Sequence, residues 1–116
     1  RAEIAPAELT ASEWVLREPG SGTRSVFEAA VEKLGVARAA LRVALELPSN
    51  EAVRAAVEAG GGATLLSRLV VAGALARGAL VRLPFPAARR SFRLLRHPER
   101  HETAAARAFL RLIAPG

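Results

Sequence analysis

The stretch that decides the fold is Trp14-Val15-Leu16-Arg17-Glu18-Pro19-Gly20-Ser21-Gly22-Thr23-Arg24. Its opening apolar run predicts a short buried strand over residues 13–18. Residues 19–23 are of the types that favour turns. The helix predicted after them, over residues 23–34, places its apolar residues on one face, and Gly35 closes it as a C-terminal cap.

The same order of strand, polar loop and helix repeats along the chain. Residues 42–47 alternate between apolar and polar types, which predicts a second strand. The other predicted elements are a turn at 48–50, a helix ending at Gly60-Gly61-Gly62, a buried strand at 63–66, a helix from Ser67 to Arg77, strands at 80–85 and 91–96, and a last amphipathic helix at 103–114. Strands that alternate with helices predict an α/β fold whose sheet is mostly parallel and flanked by helices.

In such sheets, ligands bind where the carboxyl ends of strands lead into helices. Three loops meet this description: Gly20 to Thr23, Pro48 to Asn50, and Gly60 to Ser67. They bring backbone N–H groups and hydroxyls to helix N-termini, where anions are favoured. We therefore expect Ser21, Thr23, Ser49 and Asn50 to line one cleft.

Composition limits the class of protein. The chain has 116 residues, 51% hydrophobic and 24% charged, which is typical of one soluble domain or part of one. No apolar run approaches the length of a membrane span, and the opening at Arg1 shows no secretory leader. The net charge of +6 comes almost entirely from arginine. Because the arginines are spread along amphipathic segments, we interpret them as solvated surface rather than as a DNA-binding patch; the local exception is Arg89, Arg90, Arg93 and Arg96.

The residue types that are missing restrict the chemistry. The chain has no Asp, Cys or Tyr, so it contains neither a Ser-His-Asp triad nor a disulfide or thiolate site. His97 and His101 have helical spacing, but Pro98 between them opposes a helix, which favours turn histidines over a zinc site. We predict no catalytic residue, no metal site and no cofactor. The lack of cysteine fits a cytoplasmic protein.

An ordered series of segments resembles the LysR-type transcriptional regulators. The segments are residues 14–24, Leu45-Glu46-Leu47-Pro48-Ser49-Asn50-Glu51-Ala52-Val53, residues 59–67, Leu80-Val81-Arg82-Leu83-Pro84, residues 92–96 and Ala106-Arg107-Ala108-Phe109-Leu110. Their order and spacing are more specific than Gly-Ser-Gly-Thr alone. The resemblance implies a periplasmic-binding-protein type 2-like fold, in which two subdomains flank a cleft for a small effector. Residues of about 13–85 then correspond to the second subdomain, and about 86–116 to a return strand and C-terminal helix.

The resemblance also implies site residues. The effector-binding set is Ser21, Gly22, Thr23, Pro48, Ser49, Asn50 and Gly62. Ordinary turns and helix caps remain the alternative for the Ser21 and Ser49 loops, and a C-cap with a tight turn is the favoured interpretation for residues 60–62. Many relatives have Gly at Pro48 and Thr at Asn50, so the effector is expected to differ from theirs. Trp14 is interpreted as core packing rather than a stacking surface, and Arg24 as solvent-facing rather than an effector ligand.

Partners follow from the same resemblance. Family dimers pair the first helix and second strand of one subdomain with their counterparts in the other subdomain of the partner, which here implies an interface at Val26, Phe27, Ala30, Val43 and Leu45. The protein is expected to be a dimer or tetramer that senses a small anionic molecule, binds DNA only through a helix-turn-helix domain absent from this chain, and does not bind membranes. The alternatives are a solute-binding protein of a transporter, built on the same fold, and an enzyme on a related scaffold.

Overall fold

The computed structural model describes residues 5–83, 85 and 91–99. Its elements are α1 (Pro6–Ala11), β1 (Glu13–Arg17), α2 (Gly22–Lys33), a 3₁₀ turn (Arg38–Ala40), β2 (Arg42–Leu47), α3 (Asn50–Glu58), β3 (Thr64–Ser67), α4 (Arg68–Ala76), β4 (Val81–Leu83) and β5 (Phe92–Arg96). Every strand and helix predicted between residues 13 and 96 is present. Helix α1 was not predicted, and the helix predicted at 103–114 lies outside the described residues.

The strands lie in the order β2-β1-β3-β5-β4. β1 pairs in parallel with β2, and β5 pairs antiparallel with both β3 and β4. A parallel bridge between Trp14 and Ala63 joins the two halves, where the Val15 N–H donates to the Ala63 carbonyl and the Ala63 N–H donates to the Glu13 carbonyl, each at 2.9 Å. Strands β1 to β4 therefore run in one direction and β5 runs against them.

This topology corrects the expectation of a mostly parallel sheet. The alternating strand–helix order does set the common direction of β1 to β4. However, β5 is the next described strand after β4 and takes the position between β3 and β4, where both of its pairings are antiparallel. The expected division near residue 86 stays a prediction; β5, which follows it, pairs within the described sheet.

The sheet is buried on both faces. On β1, Trp14 and Leu16 face one core cluster and Val15 faces the other, which explains why this strand is an unbroken apolar run. The first cluster comprises Leu9, Trp14, Leu16, Phe27, Val31, Val36, Ala63, Leu65, Leu83 and Leu94. The second comprises Val15, Val53, Val57, Leu66, Val71, Ala74, Leu80 and Leu95. Helices α1 and α2 thus cover one face, and α3 and α4 the other.

Contacts with Trp14 hold α1 against the core. Its indole Nε1–H donates to the Leu9 carbonyl at 2.8 Å, and its ring packs on Phe27 with centroids 4.8 Å apart. Leu9 is itself fully buried. At the start of α1, the Glu8 carboxylate accepts from the Ala5 N–H at 2.8 Å, which satisfies a donor that has no partner within the helix. The core-packing interpretation of Trp14 is confirmed.

The residues of the expected dimer interface differ in their exposure to solvent. Phe27 and Ala30 are 0% and 2% exposed because α2 packs them on the sheet of their own chain, and Val26 is partly buried against the same core cluster. This corrects their assignment: Phe27 and Ala30 present no surface to a partner. Val43 and Leu45 on the edge strand β2 remain 36% and 43% exposed.

Candidate functional site

Three helices start at one edge of the sheet. Strands β2, β1 and β3 are adjacent and run in the same direction, and α3, α2 and α4 begin after their carboxyl ends. A serine caps each helix: the side chain of Ser49 accepts from the Ala52 N–H at 3.0 Å, Ser21 from the Arg24 N–H at 2.9 Å, and Ser67 from the Leu69 N–H at 3.3 Å. Each hydroxyl oxygen is engaged by its own helix, which leaves the hydroxyl hydrogen to donate. We call the row of Ser49, Ser21 and Ser67 the carboxyl edge.

Two of the three predicted loops meet at this edge. Arg17 and Leu47, the last residues of β1 and β2, are partners in the parallel ladder. The loops that follow them, residues 18–21 and 48–49, therefore leave the sheet side by side. The Ser21 and Ser49 hydrogen bonds agree with the turn and cap interpretation. Ligand binding by these loops stays a prediction, for which a capped helix still has N–H groups in its first turn without a partner inside the helix.

A hydrogen bond links the end of β1 to the start of α3, and so ties together the two loops. The Arg17 Nη1 donates to the Asn50 Oδ1 at 2.8 Å, and the Arg17 Nε lies 3.0 Å from the Glu18 Oε1. The Arg17 hydrogen bond lowers the pKa of the Glu18 carboxyl. Asn50 consequently presents its amide N–H₂ group rather than its oxygen. Sequence reasoning missed Arg17, because nothing local marks its contact with a residue in the next loop.

Arg24 neither faces solvent freely nor is available to a ligand. Its Nε lies 2.9 Å from the Glu28 Oε2, and its Nη1 contacts the Glu46 Oε2 at 2.7 Å and the Arg17 carbonyl at 2.9 Å. Burial disfavours the charged guanidinium, but hydrogen bonds to Glu46 and Glu28 outweigh this effect and raise the pKa of Arg24. The side chain, 11% exposed, ties α2 to β1 and β2 beneath the first loop.

Gly62 lies at the opposite edge of the sheet, which corrects its assignment to the cleft. It precedes β3, so it is at the amino end, beside Glu13. Its φ is +149°, and a Cβ there would come within 2.6 Å of the Glu13 carbonyl oxygen. Glycine is required for backbone packing. The part of the Gly60–Ser67 segment that reaches the carboxyl edge is Ser67, which was predicted as a helix cap and was not among the predicted effector-binding residues.

The described histidine and carboxylates do not form a metal centre. His97 accepts a hydrogen bond at its Nδ1 from the Glu99 N–H at 3.0 Å, within a turn after β5. Across residues 5–83, 85 and 91–99 there is no group of three or more His, Cys, Asp or Glu side chains placed to hold an ion. No helix in this part of the chain is long and apolar enough to span a membrane.

The chain is similar to one protein family and to several transcriptional regulators. The family model for the LysR substrate binding domain matches residues 1–115. The uncharacterized HTH-type transcriptional regulator YeiE of Escherichia coli K12 is 35% identical over 118 residues, 99% of this chain and 39% of that protein. The HTH-type transcriptional regulator CbbR of Xanthobacter flavus is 40% identical over 80 residues, 69% of this chain and 23% of CbbR. The RuBisCO operon transcriptional regulator of Acidithiobacillus ferrooxidans is 42% identical over 78 residues, 67% of this chain and 24% of that protein.

These relatives are named as transcriptional regulators rather than as transporter components or enzymes. The chain spans 39% of the length of the YeiE protein and smaller fractions of the other two.

Proposed function

The chain belongs to the LysR substrate-binding-domain family, and from this premise we propose that it is the effector-sensing part of a LysR-type transcriptional regulator. The observation that supports this most directly is the carboxyl edge, where the loops after β1 and β2 lie together. The proposed effector-binding residues are Ser21, Gly22, Thr23, Pro48, Ser49 and Asn50.

The chemistry of this edge suits a small anionic molecule. The N-terminal turns of α2 and α3 offer backbone N–H groups and the positive ends of the helix dipoles. The Asn50 amide adds a donor, because Arg17 occupies its oxygen at 2.8 Å. Pro48 supplies no N–H, so the loop after β2 binds through the residues that follow it. The Arg17–Asn50 hydrogen bond holds the two loops in one arrangement before a ligand arrives.

Sensing then operates by population shift. The effector binds one arrangement of the two subdomains of the regulator better than another, and so changes their equilibrium. DNA is bound by a separate helix-turn-helix segment, and this chain contributes no recognition element. We place the regulator in the cytoplasm, where its DNA is.

We propose no catalysis at this edge. The oxygens of Ser21 and Ser49 are engaged as helix caps. His97 follows β5, which runs against the other strands, so it lies at the amino edge. No histidine among the described residues is therefore placed to activate these hydroxyls.

Assembly is proposed through β2. It is the last strand on its side of the described sheet, and Val43 and Leu45 are exposed on it. An unpaired strand edge with exposed apolar side chains is a surface that a second copy can cover. Phe27 and Ala30 have no part in this proposal.

The test uses the full-length regulator and the DNA upstream of its own gene. A panel of small carboxylates and organic phosphates is screened for compounds that change the mobility of the protein–DNA complex. We expect Ser49→Ala and Asn50→Ala to abolish the response while leaving DNA binding intact, and the matched control Ser25→Ala, an exposed serine within α2, to keep it. Failure of the protein to bind DNA, or an unchanged response in both site variants, would reject the proposal.

A further inference from the structure

Charge is distributed unevenly along the chain. Residues 59–98 contain seven arginines and no Asp or Glu, and all 11 acidic residues lie outside this segment. The acid-free segment builds β3, β4 and β5. The two halves of the sheet therefore differ sharply in charge balance.

In the half that carries β1 and β2, most of the described arginines pair with glutamates of the same half, Arg42 being the exception. Arg54 pairs with Glu51 and Glu58, and Arg24 pairs with Glu28 and Glu46. Arg77 of the acid-free segment also reaches this half, where its Nη2 lies 3.4 Å from the Glu58 Oε2. In the part of the chain that the structure describes, Arg68 and Arg82 make no ion pair.

The strand register places Arg93 and Arg82 on one face of the sheet, and Arg68 follows β3 at the first position of α4. Arg93 on β5 is paired with Leu66, two residues before Arg68, and the ladder continues as the Arg68 N–H donates to the Ser91 carbonyl at 2.8 Å. On the other side of β5, Arg82 is paired with Leu95, two residues after Arg93. Arg82 and Arg93 are therefore diagonal neighbours across an antiparallel pair, and such neighbours lie about 7–8 Å apart. We call Arg68, Arg93 and Arg82 the arginine row.

The row adjoins the carboxyl edge. Arg68 directly follows the cap Ser67, Arg93 is the second residue of β5, and Arg82 lies one residue before the end of β4. Burial, and then the positive charges of Arg82 and Arg68, lower the pKa of Arg93. A bound anion would remove this repulsion between neighbouring guanidinium groups.

We propose that the arginine row is the charge-binding part of the effector site and takes a small molecule that carries a doubly charged oxyanion. This inference rests on the proposed function and names the class of its ligand. Guanidinium groups match the geometry of phosphate and carboxylate oxygens. A ligand lying along the edge places its doubly charged group at the row and its remaining polar groups at Ser21 and Ser49.

A small ligand fits the row better than DNA does. A protein that binds duplex DNA contacts a series of phosphates along a groove and inserts a recognition helix or strand into that groove. The row has two side chains on neighbouring strands and a third at the first position of α4, and α4 presents the apolar Leu69 at its start, 76% exposed. Duplex DNA is therefore the competing outcome of the test.

The experiment measures sulfate, phosphate and acetate binding by calorimetry on the purified full-length protein, without DNA and at constant ionic strength. We expect the dianions sulfate and phosphate to bind more tightly than acetate. Arg68→Gln and Arg82→Gln should each weaken sulfate binding roughly three- to fivefold, as expected for exposed charge pairs, and the double variant about tenfold or more. The matched control is Arg42→Gln, an exposed arginine at the amino end of β2, which should change the affinity less than about twofold on the same grounds.

Three results would overturn the inference. The first is a sulfate affinity that is unchanged in the double variant. The second is an equal loss of sulfate affinity in Arg42→Gln, which would indicate a general effect of net charge, and the third is that the row variants weaken duplex DNA binding but not sulfate binding. Sulfate binding is measured without DNA or transcription. Its result is therefore independent of the effector response tested through Ser49 and Asn50, so either proposal can be rejected while the other is supported.

Discussion

Replacement of Gly62 by alanine should destabilise the junction between the two halves of the sheet. The φ of +149° is a conformation that residues with a side chain rarely adopt, which costs about 1–3 kcal/mol. The new Cβ would also lie 2.6 Å from the Glu13 carbonyl oxygen. That oxygen accepts from the Ala63 N–H at 2.9 Å, and weakening this bond adds about 0.5–1.5 kcal/mol. We expect the free energy of unfolding to fall by about 2–4 kcal/mol in total.

The assay is urea unfolding followed by circular dichroism, with the thermal midpoint as a second measurement. At this chain length the loss corresponds to a decrease in Tm on the order of 10 °C. The control is Gly73→Ala, inside α4, where a Cβ meets no atom within 4 Å. It should stabilise the chain by about 0.5–1 kcal/mol, because alanine favours the helix. A Gly62→Ala variant within about 0.5 kcal/mol of the parent, the size of an ordinary surface substitution, would refute the reasoning.

Three further predictions follow from burial, exposure and charge. Trp14→Phe leaves the buried Leu9 carbonyl without its 2.8 Å donor and should lower the free energy of unfolding by about 1–3 kcal/mol; urea unfolding that matches the parent would contradict this. Val43→Lys places a charge on the exposed β2 edge and should reduce self-association in light scattering over a concentration series, whereas Leu69→Lys on α4 should not; a parent that stays monomeric at high concentration would contradict it. A hydrogen bond from Arg54 lowers the pKa of Glu58 below 4.5, so the stability that this pair contributes above pH 4.5 is lost as the pH falls through the lower folded-state pKa. Glu58→Gln should therefore flatten the acid side of a plot of Tm against pH. An unchanged acid side would contradict the assignment.

Local sequence signals predicted most elements because each was marked at both ends. The run Trp14-Val15-Leu16 and the alternation over residues 42–47 indicated strands, and Ser21, Ser49 and Ser67 marked helix starts. Helix α1 lacked such periodicity, since only Leu9 is buried along it. Its place depends on the long-range contact with Trp14, which no local pattern reveals.

The site was predicted less completely for a similar reason. Placing Ser21 and Ser49 at one edge required only that β1 and β2 be parallel neighbours. Gly62 was misplaced because a glycine-rich stretch looks the same at either end of a strand, and only the chain direction distinguishes them. The arginine row depends on the insertion of β5 between β3 and β4, and so on pairing that the order of elements does not determine.

The insertion of β5 also determines when the protein can fold during its synthesis. The parallel half can close once α3 has been made, because β1 and β2 both precede it. Strands β3 and β4 leave the ribosome earlier than the strand that separates them, so each carries unpaired backbone groups until residues 92–96 emerge. During that interval Leu65 and Leu66 lack the cover of Leu94 and Leu95, and a nascent chain in this state is a substrate for chaperones or for aggregation. A chain truncated or stalled shortly before Phe92 should therefore be far less soluble than one that ends just after Arg96.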